Sequence, residues 1–131
     1  MQPLAHLKLL VQLAKVDGKV AEREKNFIIN LGRANGIYPD QIIPVFEQEE
    51  EIAIPVNLDA NAKFQCLYDL VQLMKIDERM YQEEIRFCAD IATRLGYKKE
   101  VMFDLLLRVK TFMSESELIN LKRITENFLK N

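Results

Sequence analysis

The sequence predicts an all-α fold of about seven helices in a single domain. Apolar residues recur every three or four positions along most of the chain, which is the spacing of one helix face. Only four glycines and four prolines interrupt the 131 residues, and they lie between the periodic segments. A chain of this length can bury a sizeable core without disulfides or a structural metal. We therefore expect one helical domain over residues 1–131.

The predicted helices lie between these breaks. Their approximate bounds are Pro3–Val16, Ala21–Asn35, a shorter helix from Pro39, Asp59–Ile76, Tyr81–Leu95, Lys99–Phe112 and a last helix from Ser114. Gly36 and Gly96 each follow a predicted helix, where glycine accepts the positive φ of a helix C-terminus. Pro39 suits a first helical position, whereas Pro44 is expected to kink or restart the third helix.

Capping side chains mark the starts of two of these helices. Asp59 precedes the fourth helix, and Ser114 with Glu117 three residues later has the spacing of a capping box. The apolar positions of the last helix fall on one face, at Leu118, Leu121, Ile124, Thr125 and Phe128. We expect this helix to close the core.

The first half of the chain is repeated in the second. Shifted by 60 residues, Leu9–Ile37 lies over Asp69–Tyr97 without a gap, and nine of the 29 positions are identical. The identical pairs are Leu10/Leu70, Val11/Val71, Gln12/Gln72, Leu13/Leu73, Lys15/Lys75, Asp17/Asp77, Glu24/Glu84, Phe27/Phe87 and Gly36/Gly96. We predict an internal duplication with pseudo-two-fold symmetry: repeat one over about 3–50, repeat two over about 59–112 and a closing helix over about 114–130.

Two acids occur in both repeats: Asp17 and Glu24 in the first, Asp77 and Glu84 in the second. Helical spacing places the glutamates on the apolar side of their helices, and the aspartates at the ends of apolar lines in the preceding helices. A carboxylate near a core is costly unless a proton, a hydrogen bond or a cation neutralises it. We predict that the four acids form one cluster at the junction of the repeats, with oxygens within about 4–7 Å of each other.

Two interpretations of these acids stay open. In one, the four carboxylates bind a hard divalent cation, Ca²⁺ first with Mg²⁺ or Mn²⁺ as alternatives, because such ions prefer oxygen ligands. In the other, the acids are local devices: Asp17-Gly18 forms a tight turn and Glu24 caps backbone N–H groups. The second repeat favours the first interpretation, because both acids persist there although Glu78 replaces the glycine.

Composition and motifs also exclude several functions. The net charge of −2 and the pI near 5.5 give no basic surface for nucleic acid. No nucleophile, base or phosphate-binding loop forms a recognisable constellation, so we expect no enzymatic activity. Polar residues interrupt the apolar opening residues 1–10 at helical spacing, so we expect no membrane insertion and a cytoplasmic location.

The remaining residues with reactive side chains have ordinary structural explanations. Cys66 and Cys88 lie in apolar helical stretches and are expected to be reduced and buried. His6 is expected to be a surface or packing residue rather than a base. A protein partner of unknown identity is also expected.

Residues 13–20, Leu-Ala-Lys-Val-Asp-Gly-Lys-Val, followed by Glu24 and Phe27-Ile28, resemble the signature of the TerB-like (tellurite-resistance protein B) family. The resemblance covers almost the whole chain and implies a duplicated bundle of seven helices. It also implies a metal site at Asp17, Glu24, Asp77 and Glu84, and a metal-binding or scaffold role in bacterial stress responses such as tellurite resistance. The alternative function is a helical protein–protein interaction module whose acids are purely structural.

Overall fold

A computed structural model describes residues 3–16, 20–47, 58–76, 82–110 and 112–130. In chain order its helices are α1 Pro3–Ala14, α2 Glu22–Ala34, α3 Pro39–Glu47, α4 Ala60–Ile76, α5 Gln82–Arg94, α6 Val101–Arg108 and α7 Glu115–Glu126. Within these ranges the only β-structure is one isolated bridge between Tyr97 and Leu129. The predicted all-α class is confirmed. None of the described helices combines the length and the apolar character that a membrane crossing requires.

Helices α1 and α4 form the centre of the molecule. They pack against each other, and between them they contact all five other helices. Apolar residues surround both helices on most sides, and a helix of that kind is stable only when it is buried. Helices α2 and α3 cover α1, whereas α5, α6 and α7 cover α4. The core therefore lies along the α1–α4 contact.

The two halves bury equivalent positions. Helices α2 and α5 are both 13 residues long, and their bounds differ by the 60 residues that separate the sequence identities. The buried positions of α1 from residue 6 onward recur in α4 with the same offset. They are His6, Leu7, Leu9, Leu10, Val11, Leu13 and Ala14, then Cys66, Leu67, Asp69, Leu70, Val71, Leu73 and Met74. The duplication itself stays a prediction, and the helix bounds and burial agree with it.

The predicted helix-terminal residues behave as expected. Gly36 and Gly96 adopt φ values of 81° and 99° after α2 and α5, a conformation that is strained for other residues. The Asp59 carboxylate accepts a hydrogen bond of 2.8 Å from the backbone N–H of Ala62 and caps α4. These local signals fix where the helices begin and end.

Three predicted helix details were wrong. Helix α3 continues through Pro44, so the expected restart is wrong, while the alternative kink stays a prediction. Helix α6 ends at Arg108, not Phe112, because Val109 turns to extended backbone and buries its side chain. The Lys75 ammonium binds the Val109 carbonyl and holds this end. Helix α7 ends at Glu126, short of residue 130.

The chain after α7 pairs with the turn that follows α5. The Lys98 N–H donates to the Phe128 carbonyl and the Lys130 N–H donates to the Gly96 carbonyl, both at 2.7 Å. These two bonds form the isolated bridge. They use the Phe128 carbonyl and the Lys130 N–H outside any helix, which explains why the last helix ends before residue 130.

Candidate acidic site

The structure describes two of the four predicted site residues. Glu24 is the third residue of α2 and Glu84 is the third residue of α5. Asp17 and Asp77 lie outside the described residues, in the connections that precede these two helices. The predicted cluster of four carboxylates therefore stays a prediction, and only its two glutamates can be described.

Both glutamates face the core, as the helical spacing predicted. Glu24 is 6% exposed and Glu84 is 5% exposed. Each begins a buried line that continues one and two turns later, through Ile28 and Gly32 in α2 and through Cys88 and Ala92 in α5. A helix N-terminus is the favourable end for a carboxylate, because unpaired backbone N–H groups carry partial positive charge there.

Glu24 also makes one capping bond of the kind that the local interpretation requires. Its Oε1 accepts a hydrogen bond of 3.4 Å from the backbone N–H of Ala21, the residue before α2. Ala21 has no side-chain oxygen to return the bond, so only half of a capping box is formed. At 3.4 Å the bond is long for a hydrogen bond.

Glu117 provides an internal comparison, because it occupies the same third position in α7. Its Oε1 accepts from the Ser114 N–H at 3.1 Å, and its own N–H donates to Ser114 Oγ at 3.2 Å, a complete capping box. The Glu117 side chain nevertheless remains 38% exposed. A hydrogen bond from Lys110, followed by those from Ser114, lowers the pKa of Glu117 to about 2. Capping at this helix position therefore needs no burial, and it does not account for the buried Glu24 and Glu84.

Burial and nearby negative charge keep the thiols around Glu84 protonated. Burial raises the pKa of the Cys88 thiol strongly, and the charges of Glu84 and Cys66 raise it further. Burial, with a smaller contribution from Asp69, raises the pKa of Cys66 to about 12. Both cysteines are therefore neutral thiols at pH 7, and their predicted burial is confirmed. Buried thiols of this kind are inert.

The two glutamates have the oxygen chemistry that a hard cation prefers. In the described part of the chain, no three His, Cys, Asp or Glu side chains are grouped so that they could hold a metal ion. The aspartates that the sequence assigns to the same site are not among those residues. The structure thus shows two buried carboxylates at matching helix positions, and the metal site itself stays a prediction.

A buried polar pair that the sequence did not predict joins the two halves. His6 Nε2 lies 2.7 Å from Asp69 Oδ2, and each residue is only 4% exposed. Asp69 Oδ1 accepts a second bond of 2.9 Å from Gln65 Nε2. Of the two alternatives offered for His6, packing is therefore correct and a surface position is wrong. The available signal was the alignment of Asp69 with Leu9, which puts an acid at a core position.

Comparisons with protein-family models, with curated proteins and with solved structures found no match to this chain. The resemblance to the TerB-like family therefore depends on the motif at residues 13–28 and on the repeated acids.

Proposed function

We propose that this chain is a non-enzymatic metal-binding or scaffold protein of a bacterial stress-response system like that of tellurite resistance. Its proposed site holds a divalent cation, with Ca²⁺ the first candidate and Mg²⁺ or Mn²⁺ the alternatives. The proposed ligands are Asp17, Glu24, Asp77 and Glu84. The observation that supports this is the equal burial of Glu24 and Glu84 at the same position of two equivalent helices.

The support comes from a difference between acids at one helix position. An acid that only caps a helix has no reason to leave water, and Glu117 stays partly exposed while capping α7 completely. Burying a carboxylate is costly unless the site compensates its charge. A cation shared by both halves is one compensation that would apply equally to Glu24 and Glu84.

The test is a titration of the metal-free protein with Ca²⁺, Mg²⁺ and Mn²⁺ while thermal unfolding is followed. A cation that binds only the folded state at 100 times its Kd stabilises it by about 2.7 kcal/mol. We expect the melting temperature to rise by several degrees with at least one ion. Glu24→Gln, Glu84→Gln and the pair Asp17→Asn with Asp77→Asn should each abolish most of the rise.

Two neighbouring acids provide matched controls. Glu22 and Glu83 lie in the first turns of the same two helices but are exposed. Glu22→Gln and Glu83→Gln change the net charge equally and should leave the metal response intact. A melting temperature that ignores millimolar concentrations of all three ions, or that responds equally in the control variants, would remove the metal proposal.

The bond from Ala21 to Glu24 favours the second candidate, a helical interaction module with structural acids. In the metal-free protein, the two candidates predict different effects of Glu24→Gln on stability. If Glu24 only caps α2, Glu24→Gln removes favourable charge from the helix N-terminus and lowers stability by about 0.3–1 kcal/mol. If the four acids repel each other in an empty site, the same substitution leaves stability unchanged or raises it.

A further inference from the structure

The end of α6 carries apolar side chains that nothing in the described chain covers. Leu107 is 86% exposed and Phe112 is 89% exposed, and Phe103, one turn before Leu107 on the same helix face, is 57% exposed. Single exposed apolar residues are ordinary, but a contiguous group rimmed by polar side chains is typical of an interaction surface. We name these three residues and the groove beside them the α6–α7 face.

The groove lies between the C-terminal end of α6 and α7. Its volume is about 250 Å³, and its apolar lining consists of Leu107, Met113, Leu121 and Ile124. Small-molecule sites usually measure about 300–1,000 Å³. A space of about 150 Å³ is enough for a benzene ring, so this groove is suited to a protein side chain such as a phenyl ring. The face therefore has both protruding rings and a groove of the size to receive one.

The charges beside the groove are paired within the chain. Arg108 Nε lies 2.9 Å from Asp104 Oδ2, and Lys110 Nζ lies 2.6 Å from Glu117 Oε2. These two cations and two anions sum to no net charge. In a two-fold dimer each patch meets its own copy, so a patch with net charge would repel itself whereas a neutral one does not. Charge thus favours a second copy of this chain over a strongly charged partner.

The exposed area is also of the right order. Two aromatic side chains of about 150–250 Å² each, exposed to these fractions, offer roughly 300 Å². Leu107 adds to this and the groove walls add little, so the area stays below the about 800 Å² that each partner buries in a typical specific interface. The area fits a reversible dimer of modest affinity.

We propose that the α6–α7 face is a homodimer interface in which exposed rings of each copy enter the groove of the other. Leu107 is both strongly exposed and part of the groove wall, and Phe103 lies one helical turn before it. Protruding side chains and the groove therefore adjoin, as a self-complementary two-fold interface requires. The interface is independent of the acidic site, since it uses α6 and α7 whereas the two glutamates lie on α2 and α5. The failure of either proposal therefore leaves the other intact.

The test is the molecular mass in solution from micromolar to about millimolar protein, measured by sedimentation velocity and by light scattering after gel filtration. We expect the wild type to move from 15.3 kDa toward twice that mass as its concentration rises. Leu107→Glu should remain at 15.3 kDa at every concentration, because it puts like charges at the interface. Phe103→Ser should shift the midpoint at least tenfold toward higher concentration.

Tyr38→Glu is the control, because Tyr38 is a large exposed apolar side chain, at 69%, on another part of the surface. It introduces the same charge and should dimerise like the wild type. Circular dichroism must give the same helix content for all variants. A wild type that stays monomeric throughout overturns the proposal, as does a dimer that survives Leu107→Glu or that Tyr38→Glu disrupts equally.

Discussion

Helices α1 and α4 bury equivalent positions, but the polar pair that joins them has no counterpart at the symmetry-related positions. His6 of α1 bonds to Asp69 of α4, and all of the four positions concerned are buried. Under the 60-residue offset His6 corresponds to Cys66 and Asp69 to Leu9, so the equivalent pair is Leu9 with Cys66 and can form no such bond. Matching burial therefore does not require matching chemistry. A buried polar position needs its own partner and can change only together with it.

The comparison extends to two other positions. Tyr97 in the second half is fully buried, and its hydroxyl has no hydrogen-bond partner among the described residues. Its equivalent in the first half is the partly buried Ile37, which has no polar atom to satisfy. Gly32 of α2 and Ala92 of α5 are another pair of equivalent buried positions, and they differ by one methyl group. Each difference predicts a different outcome when one half is converted to the other.

The largest effect is expected when the polar pair is broken. Asp69→Leu or His6→Cys alone leaves one buried polar group without its partner and should lower the free energy of unfolding by about 1–3 kcal/mol. The double variant installs the apolar pair of the other half and should recover most of that loss. Urea unfolding followed by circular dichroism measures all three proteins.

Gln65→Ala tests the contribution of the exposed Gln65, which donates a hydrogen bond to the buried pair. It removes only the bond to Asp69 Oδ1 and should cost about 0.5–1.5 kcal/mol. Losses below about 1 kcal/mol in both single variants, or a double variant as unstable as the sum of the two, would mean that the pair contributes no coupling.

The next effect concerns Tyr97. Because its buried hydroxyl makes no hydrogen bond among the described residues, Tyr97→Phe should raise the free energy of unfolding by about 1 kcal/mol. Tyr38→Phe, at an exposed position, should change it little. A loss above about 1 kcal/mol in Tyr97→Phe would instead indicate a hydroxyl that is well bonded in solution.

Tyr97→Phe should also change how stability depends on pH in alkaline solution. Burial first, and then the charges of Glu126 and Cys66, raise the pKa of Tyr97 to about 12 in the folded protein, from about 10 in an unfolded chain. The folded state therefore keeps a proton that the unfolded state releases, so the contribution of Tyr97 to stability is complete below pH 10 and is lost as the pH rises from about 10 to 12. Burial also raises the pKa of both cysteines, so the difference between wild type and Tyr97→Phe isolates the tyrosine.

The smallest effect is expected at Gly32. A methyl group added there would lie 2.3 Å from Ile42 Cδ1 and 3.1 Å from Leu7 Cδ1, both in the core. Crowding of this kind costs about 1–3 kcal/mol, whereas alanine gains about 1 kcal/mol over glycine inside a helix. Because the crowded atom is the far end of the Ile42 side chain, the crowding cost should be low, and we expect Gly32→Ala to destabilise the protein by less than about 1 kcal/mol. In an Ile42→Val background, which removes the crowded methyl, it should become neutral or stabilising.

Local patterns predicted most of the fold because they act over a few residues. Glycines with positive φ and the Ser114 cap fixed helix ends, and the spacing of Glu24 within α2 predicted its burial. The end of α6 was missed because Leu106 and Leu107 continue the apolar run, and only the tertiary position of Val109 stops the helix.

The candidate site divides in the same way. The inward direction of each glutamate follows from helical periodicity alone, and it was predicted. The His6–Asp69 pair joins residues 63 positions apart, and no local rule connects them. The meeting of Asp17 and Asp77 is also a long-range property, and it stays a prediction.

Amide hydrogen exchange can follow the Tyr97–Leu129 bridge through two donors. The N–H groups of Lys98 and Lys130 make their bonds across the bridge, not within a helix. They can exchange whenever the segment after α7 detaches, while amides in α1 and α4 must wait for much larger openings. The molecule thus contains two levels of protection, and the bridge amides report the lower one without any unfolding of the core.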